Sequence, residues 1–160
     1  MEFLIYLDVC CLNRPFDNQV QERVRLESEA VLLILTRCQS HEWQMLGSEA
    51  IDTEIAQTPD LERRERAMLL ASLAATKVII NEQVESRAPQ LVQLGFKVYD
   101  ALHIACAEAG NADILLTTDD RLVRRAVMHS SMLEVRVQNP ILWLLEVTTN
   151  GNSPGESDAD

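Results

Sequence analysis

Residues 99–119 read YDALHIACAEAGNADILLTTD and contain a helix, the signal that ends it and a buried strand. Apolar residues recur at helical spacing over 99–109, and Gly110 is the residue type that most often follows the end of a helix. The next apolar run, 114–117, has almost no polar residue, which is typical of a strand covered on both faces. A helix that leads into a fully buried strand indicates a parallel β-α-β arrangement.

The same alternation of short apolar runs and helical patterns extends over the rest of the chain. We predict strands at 3–7, 43–46, 77–80, 114–117 and 133–137. The first and fourth are nearly all apolar, so we place them in the centre of the sheet and the other three nearer its edges. The predicted fold class is therefore α/β, a three-layer α/β/α arrangement with a mainly parallel central sheet of roughly five strands.

Helical spacing and capping residues predict further helices between and after the strands. They are a long surface helix with an apolar stripe from Val20 to Cys38, a helix opened by Thr58 and Pro59, one capped by Asn81, and one from Pro140 to Val147.

Composition predicts one globular domain over 1–147 of the 160 residues, since 47% of the chain is apolar and 24% is charged. We expect 148–160 to be a disordered acidic tail, because its Asn, Gly, Ser, Pro and acidic residues offer little apolar surface to offset ordering entropy. No apolar run approaches the roughly 20 residues of a membrane span, and 1–12 lacks the pattern of a signal peptide. We therefore expect a cytoplasmic protein that does not contact a membrane.

The net charge is −11, from 14 basic and 25 acidic residues, which argues against a protein that coats nucleic acid by phosphate neutralisation alone. Some of the acids lie in the predicted tail and others could belong to a metal site, so the acidity does not exclude a nucleic-acid partner. The four cysteines and three histidines show no zinc-ligand spacing.

Acidic residues stand where the predicted central strands end. Asp8 directly follows the first strand and Asp119 follows the fourth, and the carboxyl ends of parallel strands share one edge of the sheet. Asp100 stands at the start of the helix that leads into the fourth strand. We expect these three carboxylates to lie near one another.

A fourth acid comes from the helix predicted after the second strand. Helix geometry places Glu54 about 75° from the apolar face of that helix and Glu49 about 145° from it, so Glu54 is the one that can face inward. For Glu49, near the start of the helix, stabilisation by the helix dipole is the simpler interpretation.

Carboxylates that converge on one point repel each other by roughly 4 kcal/mol per pair at about 4 Å and an effective dielectric near 20. Such a cluster has to keep protons or hold a cation, and oxygen ligands favour Mg²⁺ or Mn²⁺ over zinc. The chemistry that this predicts is metal-assisted hydrolysis of a phosphate ester. Taken singly, each acid could equally be an ordinary strand end or helix cap.

As spaced, these residues resemble the PIN-domain ribonucleases, the family that contains the VapC-type toxins of toxin-antitoxin pairs. The resemblance rests on YLDVCCL at 6–12, on Ser48 followed six residues later by Glu54, and above all on the block at 99–119. It implies that Asp8, Glu54, Asp100 and Asp119 are catalytic and bind one or two divalent ions, with Thr117 at the family's hydroxyl position.

The chain departs from the family pattern at Cys10, where many members have Asn, Ser or Thr. Asn13 in the following loop could substitute for that polar group. Arg14 is a candidate phosphate contact, because guanidinium matches phosphate geometry, although it could be an ordinary loop arginine. His103, one helical turn after Asp100, could donate to a ligand of the site or could simply be a packed helix histidine.

We therefore predict a metal-dependent endoribonuclease acting on RNA, with an antitoxin protein and a second copy of the chain as partners that the resemblance implies. The alternative is a PIN-like protein- or RNA-binding module with weak or no activity, which Cys10 and the sparse basic surface favour. Two other classes fit poorly. A dehalogenase-type phosphatase needs a second Asp at the position of Cys10. A receiver domain needs a basic residue after the last strand, where this chain has Gln138, Asn139 and Pro140.

Overall fold

The computed structural model describes the backbone of residues 2–151 and the side chains of residues 2–149. Its five strands are β1 (Leu4–Leu7), β2 (Gln44–Ser48), β3 (Thr76–Val78), β4 (Ile114–Leu116) and β5 (Arg136–Gln138). All neighbouring pairs are parallel, in the order β3-β2-β1-β4-β5, so the predicted five-stranded parallel α/β fold is confirmed.

Helices connect consecutive strands and cover both faces of the sheet. They are α1 (Val9–Asn13), α2 (Glu22–Gln39), α3 (Glu49–Ala56), α4 (Leu61–Ala71), α5 (Glu82–Gln93), α6 (Val98–Ala109), α7 (Asp120–Met128) and α8 (Pro140–Gly151). Two short 3₁₀ segments, Arg14–Phe16 and Ser130–Met132, follow α1 and α7. None of these described helices is long and apolar enough to cross a membrane.

The central strand β1 is buried on both faces, since Ile5, Tyr6 and Leu7 have no exposed surface. The second strand, whose sequence looks like that of an edge strand, is not one, because β2 pairs with both β1 and β3. Because β2 contains polar and small residues, its sequence lacks the continuous apolar run that is typical of an interior strand. Gly47 is one of them, and a Cβ there would lie 3.0 Å from the Cβ of Ala74.

Two predicted helix starts are displaced. The second helix of the chain begins at Glu22, so Val20 lies before it and is 82% exposed. The helix predicted to open at Thr58 begins instead at Leu61, because the Asp60 side chain accepts the Arg63 N–H and supplies the cap.

The predicted caps at Asn81 and Gly110 are confirmed: Asn81 accepts the N–H of Val84, and Gly110 ends α6. The last helix opens at Pro140 as predicted but continues to Gly151, so the first four residues of the predicted tail are helical. The remainder, 152–160, lies outside the described residues.

A buried carboxylate joins the first β-to-α connection to three helices. Glu27 in α2 has no exposed surface, and its Oε1 accepts from Arg14 Nη2 at 2.8 Å. Its Oε2 accepts from Asn139 Nδ2 at 2.7 Å and from Arg23 Nε at 3.3 Å. Arg23 also pairs with Asp120 at the start of α7, at 2.6 Å. Because both Glu27 oxygens are occupied, removing their charge would deprive Arg14 and Arg23 of a buried anionic partner.

We expect Glu27→Gln to lower the free energy of unfolding by about 2–4 kcal/mol, because Arg14 loses a buried anionic partner. Glu29→Gln, an exposed carboxylate on the same helix, is the matched control and should change it by less than about 0.5 kcal/mol. Urea denaturation followed by circular dichroism measures both. Equal effects of the two substitutions would show that the network adds nothing to stability.

Candidate active site

The end of β1 places Asp8 against the end of β4. The Asp8 N–H donates to the Leu116 carbonyl at 3.0 Å, which continues the ladder between the two strands by one residue. The side chain of Asp8 is buried and caps α1, since its Oδ1 accepts the Val9 N–H at 2.8 Å. Its Oδ2 accepts from the Thr117 hydroxyl at 3.0 Å. Asp8 is therefore held by a strand, a helix start and a side chain.

Thr117 connects the two strand ends, as its predicted position near the site requires. It has no exposed surface, and its Oγ1 donates to Asp8 and accepts the Asp119 N–H at 3.1 Å. Cys10 faces the same place, with its Sγ 3.4 Å from Asp8 Oδ2 and 3.3 Å from Thr117 Oγ1. The weakly polar thiol of Cys10 therefore lies next to the stronger hydrogen-bonding oxygens of Asp8 and Thr117.

Glu54 reaches the same edge from α3, on the inward face that helix geometry predicts. Its Oε1 lies 2.7 Å from His103 Nε2, which is 3.6 Å from Asp8 Oδ1. One ligand atom from each of Asp8, Glu54 and His103 falls within 4.8 Å of the other two. Glu49 points elsewhere, and its Oε1 accepts the Ile80 N–H at 2.9 Å.

A chain of buried polar groups lies behind Glu54; the sequence analysis named His103 as a possible donor but missed the link through Tyr6. Tyr6 Oη is 2.6 Å from His103 Nδ1 and 2.7 Å from Ser48 Oγ, and all three residues are buried. Burial raises the pKa of Tyr6 well above its ordinary value, so its hydroxyl keeps its proton. The hydroxyl of Tyr6 within an apolar central strand was the available signal in the sequence.

The acids around His103 favour its protonated form. Burial by itself lowers the pKa of His103, but the hydrogen bond to Glu54 and the negative charges of Asp8, Glu54 and Asp100 raise it above its ordinary value. In the imidazolium form Nε2–H donates to Glu54 and Nδ1–H donates to Tyr6 Oη. The protonated ring offsets one of the negative charges and holds the Glu54 carboxylate in place.

Asp100 and Asp119 lie beside this cluster. The pKa of Asp100 is raised to about 6, first by burial and then by the charges of Asp8 and Asp119. Both Asp100 and Asp119 line one cavity of about 160 Å³. Asp119 also caps α7, because its Oδ1 accepts the N–H groups of Arg121 at 2.9 Å and Leu122 at 3.3 Å.

Residues 5–128 match the PIN domain family. The chain belongs to the PIN domain family. Its fold is similar to that of a chain in the crystal structure of VapBC2 from Rickettsia felis bound to a DNA fragment from their promoter, with a TM-score of 0.50 and 13% identity over 85% of this chain and 98% of that one. It is also similar to a chain of VapBC-1 from nontypeable Haemophilus influenzae, with a TM-score of 0.51 and 16% identity over 86% of this chain and 98% of that one. Comparison with curated proteins finds no match.

The prediction that Asn13 and Arg14 lie in a loop of this PIN domain is wrong, because Asn13 belongs to α1 and Arg14 begins the 3₁₀ segment that follows it. Asn13 ends α1, and its Oδ1 is shielded from solvent without a hydrogen-bond partner among the described residues. Arg14 is engaged by Glu27 and by Asp17, whose Oδ2 lies 3.1 Å from Arg14 Nη1. A phosphate would therefore compete with two carboxylates for the Arg14 guanidinium.

The donors of the PIN domain site fit a hard divalent cation. Asp8, Glu54, Asp100 and Asp119 offer carboxylate oxygens, which Mg²⁺ and Mn²⁺ prefer. His103, when protonated, offsets charge on the Asp8 and Glu54 carboxylates that it contacts. The pKa of Asp100 stays raised by burial and by the charges of Asp8 and Asp119, which His103 and Lys97 offset only in part. A bound cation would offset that charge, so we regard these four carboxylates as the candidate ligands.

In metal-free protein, Asp100→Asn should stabilise the PIN domain at pH 7.5. The pKa of Asp100 is raised from 3.8 to about 6, so the folded state loses stability relative to a neutral side chain as the pH rises through that range. We expect the melting temperature of Asp100→Asn in EDTA to exceed that of the unsubstituted protein by at least about 3 °C at pH 7.5, with no difference near pH 4. Differential scanning fluorimetry at both pH values measures this. A lower melting temperature for the variant at pH 7.5 would contradict it, and exposed Glu65→Gln is the control.

Proposed function

We propose that this PIN domain is a metal-dependent endoribonuclease that hydrolyses phosphodiester bonds in single-stranded RNA. The observation that supports this proposal is the gathering of Asp8, Glu54, Asp100 and Asp119 at one edge of the parallel sheet. Asp8 and Glu54 both face His103 Nε2, and the charges of Asp8 and Asp119 act on Asp100. Acids arranged in this way suit a site that holds a divalent cation against a phosphate.

The surrounding residues orient the carboxylate oxygens. Asp8 gives one oxygen to the Val9 N–H and the other to the Thr117 hydroxyl, so its carboxylate plane cannot rotate freely. A bound Mg²⁺ or Mn²⁺ would polarise the phosphodiester and lower the pKa of an attacking water. The protein's own contribution is then to hold its ligands in a fixed, partly buried geometry.

The buried chain from Ser48 through Tyr6 to His103 has a positioning role in this proposal. His103 Nε2 holds the Glu54 carboxylate at 2.7 Å, and Tyr6 fixes the ring from its other nitrogen at 2.6 Å. Because Ser48 caps α3, the helix that carries Glu54 is anchored at its first turn to the same chain. The chain therefore orients Glu54 and keeps a proton on the side of His103 that faces it.

The partners in this proposal are RNA as substrate and an antitoxin protein, with a second copy of the chain as a further candidate. Support for the antitoxin comes from the fold shared with chains of the two VapBC structures. Activity as the toxin of such a pair, in the cytoplasm where RNA is available, belongs to the same proposal.

Millimolar Mn²⁺ or Mg²⁺ should raise the melting temperature of the unsubstituted protein, because the cation relieves repulsion among the four carboxylates. We expect a rise of about 3 °C or more, which Asp100→Asn should abolish and Glu65→Gln should preserve. Differential scanning fluorimetry across a metal titration measures the effect. No response in the unsubstituted protein, or an equal response in Asp100→Asn, would contradict a metal site at these residues.

Single-stranded RNA should be cleaved in Mn²⁺, and cleavage should be lost in EDTA. Asp8→Asn should reduce the rate more than about 100-fold, because it removes a ligand charge while Asn can still cap α1. Gel analysis of an end-labelled oligoribonucleotide measures the products. Cleavage that persists in EDTA and in Asp8→Asn would overturn the proposal, whereas metal binding without cleavage would favour the alternative of a binding module.

A further inference from the structure

The unpaired cations of this acidic protein are concentrated in one place. All 14 Lys and Arg residues lie within the described part of the chain, and eight of them have a carboxylate oxygen of a described residue within 4.0 Å. Of the other six, four lie in the loop before α6 and on α7. They are Lys97, Arg121, Arg124 and Arg125, and all four are exposed.

Three of these four side chains line the cavity that contains Asp100 and Asp119. We call Lys97, Arg121 and Arg125 the cationic rim. Lys97 is close enough to Asp100 to oppose the rise in its pKa. The cationic rim therefore faces the same space of about 160 Å³ as two of the candidate metal ligands, Asp100 and Asp119.

The sequence of α7 sets the direction of the two arginines. Leu122 and Ala126 are buried against the body of the protein, which leaves Arg121 and Arg125, four residues apart, side by side on an exposed face. Like charges at this spacing repel each other and weaken a helix slightly. An anion bound between them would remove that repulsion.

Arg125 is further positioned by the turn before Lys97. Gly95 adopts a φ of +102°, and a Cβ at this residue would collide with the Arg125 guanidinium, which therefore packs over the glycine. Arg125 Nη1 also donates a long hydrogen bond of 3.5 Å to the Leu94 carbonyl. Its guanidinium is thus held near Lys97 without an acidic partner among the described residues.

We propose that the cationic rim binds backbone phosphates of single-stranded RNA next to the phosphate that is cleaved. This inference rests on the proposed ribonuclease function and adds the side from which the strand enters, along α7. Guanidinium groups form paired hydrogen bonds with phosphate oxygens, and the lysine adds a mobile point charge. Arg14 and Arg23 are already paired with Glu27, so the rim offers the free cations that line the cavity of Asp100 and Asp119.

The test measures RNA binding without cleavage, in protein that carries Asp8→Asn. A fluorescein-labelled single-stranded oligouridylate of about 12 nucleotides is titrated with protein in Mg²⁺ at several NaCl concentrations, and fluorescence anisotropy gives Kd. We expect Arg121→Gln to raise Kd about 5-fold and Arg121→Gln/Arg125→Gln about 30-fold. The slope of log K against log salt should fall by about 0.7 for each phosphate that the variant no longer neutralises.

Arg25→Gln is the matched control. Arg25 is an exposed helix arginine without a carboxylate partner among the described residues, and it points about 200° around α2 from Arg23. It should change Kd less than about 2-fold and leave the salt slope unchanged. If the rim variants bind RNA as Arg25→Gln does, the proposal for the rim is overturned.

The two proposals can fail separately. With Asp8 restored, Arg121→Gln/Arg125→Gln should keep the Mn²⁺-dependent rise in melting temperature, because all four carboxylates remain, while KM for RNA cleavage rises. Mn²⁺-dependent cleavage with an unchanged KM in this double variant would overturn the rim and leave the ribonuclease proposal standing. RNA binding that depends on the rim, in a protein that cleaves no RNA, would support the rim and overturn the ribonuclease proposal.

Discussion

Repulsion among carboxylates at the ends of β1 and β4 is the interaction that the surrounding structure has to offset. The fold brings Asp8, Asp100 and Asp119 to one edge of the sheet, where burial strengthens the interaction between their charges. His103 offsets part of that charge through Glu54 and Asp8, and it is in turn held by Tyr6. Burial is the first cause of the raised pKa of Asp100, and the negative charges of Asp8 and Asp119 add to it. A cation bound at this edge of the sheet would offset that repulsion.

The sequence predicts the parts of this site that depend on local geometry. Asp8 and Asp119 follow apolar strands, and a helical angle distinguishes Glu54 from Glu49, so their placement needs no knowledge of distant contacts. The chain through Tyr6 joins residues 42 and 97 positions apart, and no local pattern marks such a pairing. The burial of Glu27 was equally unpredictable, because a charged residue in a surface helix ordinarily faces water. Here two partners from other segments, Arg14 and Asn139, and one from its own helix, Arg23, bind its carboxylate.

Net charge is a poor guide to what an acidic protein can bind when its ions are unevenly paired. Most of the arginines here are committed to carboxylates of the fold, including Arg14 and Arg23 around Glu27. The remaining positive groups on α7 are few, yet they lie beside the group of acids that most needs a counter-charge. A total of −11 therefore conceals three exposed basic residues around the cavity of Asp100 and Asp119.

Asp8 divides its two oxygens between a helix cap and the Thr117 hydroxyl, and Asp119 commits one oxygen to capping α7. One oxygen of each residue accepts backbone N–H groups at the start of a helix, which any Asn could do equally well. A single amide replacement at either position would thus remove a carboxylate charge while leaving the helix cap intact. Descendants of such a protein would therefore lose a ligand of the proposed metal site in one mutational step, without passing through an unfolded intermediate.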